Sequence, residues 1–164
     1  MTAAHDDRGL LDRAARLRHE FDRAFAEPVA RAEAPDEEFL AIRLRGDAHA
    51  LRLADVGRLV RLRMLTRYIA APPAWLGLHG VAGAVVPVYD LAVLTGLPPG
   101  GPVPGWMAVC AAASVALAFD TFEGQFRHAG EPGQDVLRLP GGARPVVPVA
   151  RLLDSIRSLA AQEP

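Results

Sequence analysis

Trp75-Leu76-Gly77-Leu78-His79-Gly80-Val81-Ala82-Gly83-Ala84-Val85-Val86-Pro87-Val88-Tyr89-Asp90-Leu91 is the stretch whose reading decides the fold. It reads as a strand, a turn permitted by glycine, a second strand and a helix start. Val85, Val86 and Val88 supply the β-branched bulk that suits a pleated surface. Gly77 and Gly83 are free to take dihedrals or close approaches that side chains forbid. Pro87 has no backbone donor and is expected at an edge or near a strand end. Asp90 offers its carboxylate to backbone N–H groups and so caps a short helix, Leu91 to Thr95, which Gly96 ends.

The segments before this stretch alternate in the same way. Phe39 to Leu44 puts Leu40, Ile42 and Leu44 on one face, and His49 to Leu53 puts Leu51 and Leu53 on one face. With Gly46-Asp47 as the turn signal, the two make a hairpin. A strand is expected over Leu59 to Met64, and Pro72-Pro73 breaks the chain before the central pair. Upstream, Leu10, Leu11, Ala14, Leu17, Phe21 and Phe25 recur at helical spacing, so residues 6–26 read as an amphipathic helix ended by Pro28. Residues 1–30 are thus expected to be a helical extension, and residues 37–161 a separate domain.

Downstream, Pro98 to Gly105 is a loop rich in Pro and Gly. Trp106 to Ala111 and Ser114 to Phe119 make a second hairpin. Their apolar run falls short of the roughly 20 residues that a membrane-spanning helix needs. Asp120 to Gly124 reads as a short turn or helical segment. Val136 to Leu139 and Pro145 to Val149 read as short strands around Pro140-Gly141-Gly142, and Ala150 to Ala161 as a closing helix. Many short strands with Gly/Pro turns point to a small-barrel architecture.

Bulk numbers set bounds. The chain has 164 residues and 51% hydrophobic content, enough for a core without disulfide or metal staples. A formal net charge of −1 gives no strongly basic field for nucleic acid. All 18 cationic side chains are arginines. The one cysteine, Cys110, lies in an apolar run and reads as a small buried hydrophobe in a reducing cytoplasm. The opening residues, with Asp6 and Asp7, do not resemble a secretory signal.

No reactive constellation emerges. The five histidines lack metal-ligand spacing, and His79 is read as a satisfied core or interface side chain. Ser114, Ser155 and Ser158 have no nucleophile-elbow context, and Pro99-Gly100-Gly101-Pro102 lacks the lysine of a phosphate loop. No catalytic residue, cofactor or metal is expected. Arg58, Arg61, Arg63 and Arg67 form a basic cluster, either a solvated face or an anion-seeking protein interface.

From about Glu38 to Leu159 the order of features resembles the CheW-like domains, adaptor modules of bacterial chemosensory arrays. Glu38 to Ile42 is similar to the family's opening strand, and His49 to Val56 to its second strand and the start of the third. Trp75 to Leu91 is similar to the core signature G-x-x-N-L-R-G-x-x-x-P-x-x-D-L, matched at Gly77, Gly83, Pro87, Asp90 and Leu91. Val115 to Phe122 and Pro145 to Leu153 resemble its later strands and closing helix. The resemblance implies two intertwined five-stranded SH3-like barrels and no enzyme activity. It also implies two partners, a chemoreceptor's cytoplasmic tip and the regulatory domain of a CheA-type histidine kinase, with other CheW-like domains as further candidates. Nucleic acid and direct membrane insertion are not implied.

Departures from the pattern fall on the surfaces that the resemblance assigns to partners. The family's N-L-R-G becomes Gly80-Val81-Ala82-Gly83, so its Asn and Arg are gone. In Val56-Gly57-Arg58-Leu59, Arg58 stands where the family carries an acid. Polar and charged groups at an interface choose the partner more than they set raw affinity. The expected contact set is Val56, Arg58, Leu59, Gly77, Ala82 and Gly83. The alternatives are a diverged module with a non-standard partner and no kinase coupling, a module recruiting through its N-terminal helix, and a small-barrel enzyme or ligand carrier.

Overall fold

The computed structural model describes residues 36–67, 72–130 and 133–160, with side chains through Ser158. The amphipathic helix expected over residues 6–26 lies outside the described residues. Ten strands and two helices follow in order: β1 (Asp36–Leu44), β2 (Asp47–Arg52), β3 (Val56–Arg61), β4 (Trp75–Val81), β5 (Ala84–Asp90), α1 (Leu91–Leu94), β6 (Trp106–Cys110), β7 (Ala116–Phe119), β8 (Thr121–Ala129), β9 (Val136–Leu139), β10 (Gly142–Pro145) and α2 (Val149–Ala160). A 3-10 turn, Leu53–Asp55, joins β2 to β3. Neither helix is long and apolar enough to cross a membrane.

The strands form two groups. One is a five-stranded sheet in the order β3-β6-β7-β5-β4. The other combines a three-stranded sheet, β2-β1-β8, with the ribbon β10-β9, which a parallel bridge from Val146 to Ala50 ties to β2. Two five-stranded barrels are the expectation, yet neither group closes into one continuous ladder among the described residues. β3 and β4 stay at opposite edges of their sheet. The chain leaving β3 then bends round, and Thr66 and Leu78 exchange two backbone hydrogen bonds of 3.0 Å at the outer edge of β4.

Three apolar layers hold the sheets. Alternate residues of β6 and β7 point to opposite faces, and both faces are covered. Met107, Ala116 and Ala118 join Val86 and Val88 in the core of the five-stranded lobe. Ala108, Cys110, Leu117 and Phe119 face the other way, into a central layer with Leu40, Ile42, Leu44 and Leu51. α2 adds Leu152, Leu153 and Ile156 to that layer. Phe39 turns from the same strand into a third cluster with Ala50, Leu137 and Val146, and its ring stacks on Phe126 at 5.6 Å. β1 is thus apolar on both faces because both are buried.

Several boundaries differ from the sequence reading. Thr121 to Ala129 is a nine-residue strand, where a turn or short helix is expected over Asp120 to Gly124. Gly124, at φ +151°, sits at a register shift against Ala41 and Ile42, so the glycine marks a bulge within the strand. The first hairpin turns on Arg45-Gly46, with φ +52° and +90°, one residue before the expected Gly46-Asp47. β3 begins at Val56 and ends at Arg61, earlier than Leu59 to Met64. β10 is likewise earlier than Pro145 to Val149, because α2 already begins at Val149.

Pro87 lies inside β5, opposite Leu78, in an interior strand. The parallel ladder to β7 begins only at Val88. At Pro87 the strand therefore has a partner on one side only, and the missing N–H is not needed.

Candidate functional site

The signature stretch forms an antiparallel hairpin whose turn is Ala82-Gly83, at φ +49° and +82°. Two successive left-handed residues match a two-residue hairpin turn, which follows the right-handed twist of the flanking strands. β5 begins four residues before its parallel register with β7, at Ala84 as against Val88. The hairpin tip therefore projects past the β6–β7 connection. Between them lies a recess of about 400 Å³ lined by Val81, Ala84, Val86, Val109, Cys110 and the run Ala111 to Ser114.

That recess brings separate parts of the chain together. Val56 pairs with Cys110, and Arg58 with Val109, so the start of edge strand β3 flanks one side. Ala82 and Gly83 flank the other. The Ala111 amide donates to the Asp55 carbonyl at 2.9 Å, tying the loop to the turn that launches β3. Val56, Arg58, Ala82 and Gly83 are thus gathered at one end of the five-stranded lobe.

The other two expected contact residues sit differently. Leu59 packs against the central layer. Gly77 is buried at the place where β4 meets the chain leaving β3, and a Cβ there would lie 2.2 Å from the Thr66 carbonyl oxygen. Its φ of +138° is also closed to ordinary side chains.

The electrostatics of this end are quiet. Burial pushes the Cys110 thiol up to about 11, with the negative charge of Asp55 adding to the effect. The Asp55 carboxyl is itself raised, first by burial, against the lowering field of Arg52. His79 donates from Nδ1 to the Met64 carbonyl at 2.6 Å, an anchor for the chain leaving β3. Small apolar side chains around a neutral thiol suit the burial of a protruding apolar group from a partner.

One organising residue escapes sequence reasoning. Arg45, at the β1–β2 turn, reaches into the seam between the two groups of strands. Its Nη2 donates to Asp90 Oδ2 at 2.8 Å, and its Nη1 to the Pro102 carbonyl at 3.4 Å. Its backbone amide donates to Asp120. Asp90 spends its other oxygen as the helix cap, accepting from Ala92 at 3.0 Å and Val93 at 3.4 Å. The cap is legible in the sequence, but the arginine 45 residues away is not.

A second groove of about 450 Å³ opens between β2, α1 and α2, with His49, Thr95, Arg151 and Ser155 around an apolar floor. None of the expected contact residues lines it.

Comparison with known proteins places this geometry. The CheW-like domain family matches residues 38–155. The crystal structure of the scaffolding protein TtCheW from Thermoanaerobacter tengcongensis superposes with a TM-score of 0.62 at 14% identity, covering 77% of this chain and 93% of that one. No curated protein matches the chain. The match spans β1 through most of α2 and takes in both flanks of the recess, and on it the chain belongs to the CheW-like domain family.

Proposed function

We propose that this chain is a non-enzymatic cytoplasmic adaptor of a bacterial chemosensory array, coupling a chemoreceptor's cytoplasmic tip to the regulatory domain of a CheA-type histidine kinase. The observation that carries the reading is the apolar recess at the end of the five-stranded lobe, with Val56 and Arg58 on one side and Ala82 and Gly83 on the other. Family membership supplies the class of partner. In this reading residues 37–161 are the adaptor domain, its two groups of strands acting as paired small barrels. Arg58, Ala82 and Gly83 meet the partner directly. Val56 and Leu59 shape the edge strand, and Gly77 holds the hairpin in place.

Binding then follows from burial of small apolar side chains, with rim charge selecting who binds. A second reading, a diverged module without kinase coupling, draws on two positions. Ala82 has no guanidinium, and Arg58 has the opposite charge from the family's acid. Titrating the folded chain with a kinase regulatory fragment and a receptor-tip fragment separates the two. Binding to both supports the adaptor, binding to the receptor alone supports the second reading, and binding to neither rejects both.

A further inference from the structure

Seven of the described arginines reach a carboxylate within 4.0 Å. Arg58, Arg61, Arg63 and Arg67 reach none among the described residues, and all four are exposed. They fall within ten consecutive positions, on β3 and the chain that leaves it. Arg61 instead lies over the Trp106 ring, 4.5 Å from its centroid. Outside this run, every described arginine except Arg138 has a carboxylate partner; here four lie close together in sequence with none.

The backbone beneath them is open as well. β3 pairs with β6 on one edge, and no strand covers its other edge among the described residues. Leu59 packs into the central layer while Val60 packs into the core of the five-stranded lobe, so successive side chains of β3 point to opposite faces. Arg58 shares the face of Val60, and Arg61 that of Leu59. A segment laid along this edge meets a cation on each side of its own pleat. Met64, 81% exposed, stands between Arg63 and Arg67 and adds an apolar contact.

We propose that the free edge of β3 takes an extended, acidic segment of a partner protein as an added strand, with carboxylates facing Arg58 and Arg61 from both faces and Arg63 beyond. Main-chain hydrogen bonds supply the register and the arginines supply the selectivity. The inference deepens the adaptor reading and rests on it, because it names the chemistry of a partner at the same edge strand. Each exposed ion pair contributes up to about fivefold in affinity, so the selectivity comes from the set.

The test uses the full chain and a fluorescein-labelled peptide of about eight residues in which Glu pairs alternate with Thr pairs, which puts carboxylates on both faces of the added strand and keeps within ordinary strand length. Controls are the same peptide with Gln for Glu and a short oligothymidylate. The expected result is binding of the Glu peptide, with backbone amide shifts in β3. It should weaken as ionic strength rises from about 0.02 to about 0.5 M, as open ion pairs require. Arg58→Glu with Arg63→Glu should weaken it about tenfold or more. Should that variant unfold, Arg58→Gln with Arg63→Gln takes its place, with a smaller loss expected. Equal binding of the Gln peptide, no binding of the Glu peptide, or an unchanged affinity in the variant overturns the inference. So does tighter binding of oligothymidylate. Kinase and receptor fragments titrated in parallel keep the outcomes apart, because their failure to bind wild-type chain rejects the adaptor reading whatever the peptides do.

Discussion

Arg45 and Asp90 meet at 2.8 Å across the seam between the two groups of strands, with side chains only 16% and 9% exposed. One comes from a hairpin turn in the first sheet, the other from the last residue of β5, where it also starts α1. The pair therefore fixes the hairpin of one group against the helix start of the other. Removing one partner of a largely buried pair leaves the other charge without compensation, which costs more than the pair itself contributes. Arg45→Ala is expected to lower unfolding stability by roughly 2–4 kcal/mol, read as a shift in the urea midpoint at unchanged slope. A loss below about 0.5 kcal/mol would show that the seam does not depend on this pair.

Gly77 has no room for a side chain. Its φ is +138°, and a Cβ would press on the Thr66 backbone, which cannot rotate away as a side chain would. Gly77→Ala is expected to cost more than about 2 kcal/mol and to release the Thr66–Leu78 pairing, visible as faster amide exchange at both residues.

At Ala82 the strain runs the other way. A non-glycine residue at φ +49° pays for its conformation, and asparagine tolerates it better than alanine. Ala82→Asn should raise stability by about 0.5–1 kcal/mol in thermal or chemical unfolding. Ala82→Arg, which restores the family's arginine, is the informative variant for partner choice, since it adds donors at the rim of the recess without touching the core.

Ionisable groups give predictions of opposite sign. Hydrogen bonds from Arg144 and Arg43 hold the Glu123 carboxyl below its ordinary value. A lowered folded value means stability that is present above the unfolded pKa and lost as pH falls through the folded one. Glu123→Gln should therefore destabilise at pH 7, with the penalty shrinking toward zero in acid. Asp55 is raised, chiefly by burial, so its charged form works against folding once pH passes its folded value. Asp55→Asn should stabilise the fold at neutral pH and do nothing in strong acid. Paired urea titrations across pH check both.

Cys110 is 6% exposed, and its thiol titrates at about 11. At pH 8 almost none is thiolate, the nucleophilic form. Reaction with a disulfide reagent should be slow in the native chain and fast in denaturant; rapid native labelling would show that the recess opens.

The sequence carried the strands whose burial is strongly patterned. The signature hairpin, the Asp90 cap and the β6–β7 pair were legible because valine runs, a capping carboxylate and glycine punctuation all agree locally. β8 was not. Phe122 and Phe126 flank Gly124, and the run from Asp120 to Gly124 reads as a turn until Ala41 and Ile42 are known to lie opposite. The contact surface was legible only in pieces. Val56 and Ala82 carry no mark that they flank one recess, because β6 and β7, which arrive later in the chain, are what bring them together. Nothing local in the sequence singles out Arg45, because its role depends wholly on a carboxylate supplied by a distant strand.

The central claim is that the end of the five-stranded lobe is a partner-binding surface. Calorimetric titration of the folded chain with a kinase regulatory fragment and a receptor-tip fragment tests it, comparing wild type with Ala84→Glu. Ala84 is exposed on the rim, so the variant keeps the fold while placing a charge in the apolar recess. The account predicts that wild type binds and that Ala84→Glu loses at least about tenfold in affinity for one fragment with an unchanged unfolding midpoint. Equal binding by both proteins, or none by the folded wild type, would contradict it.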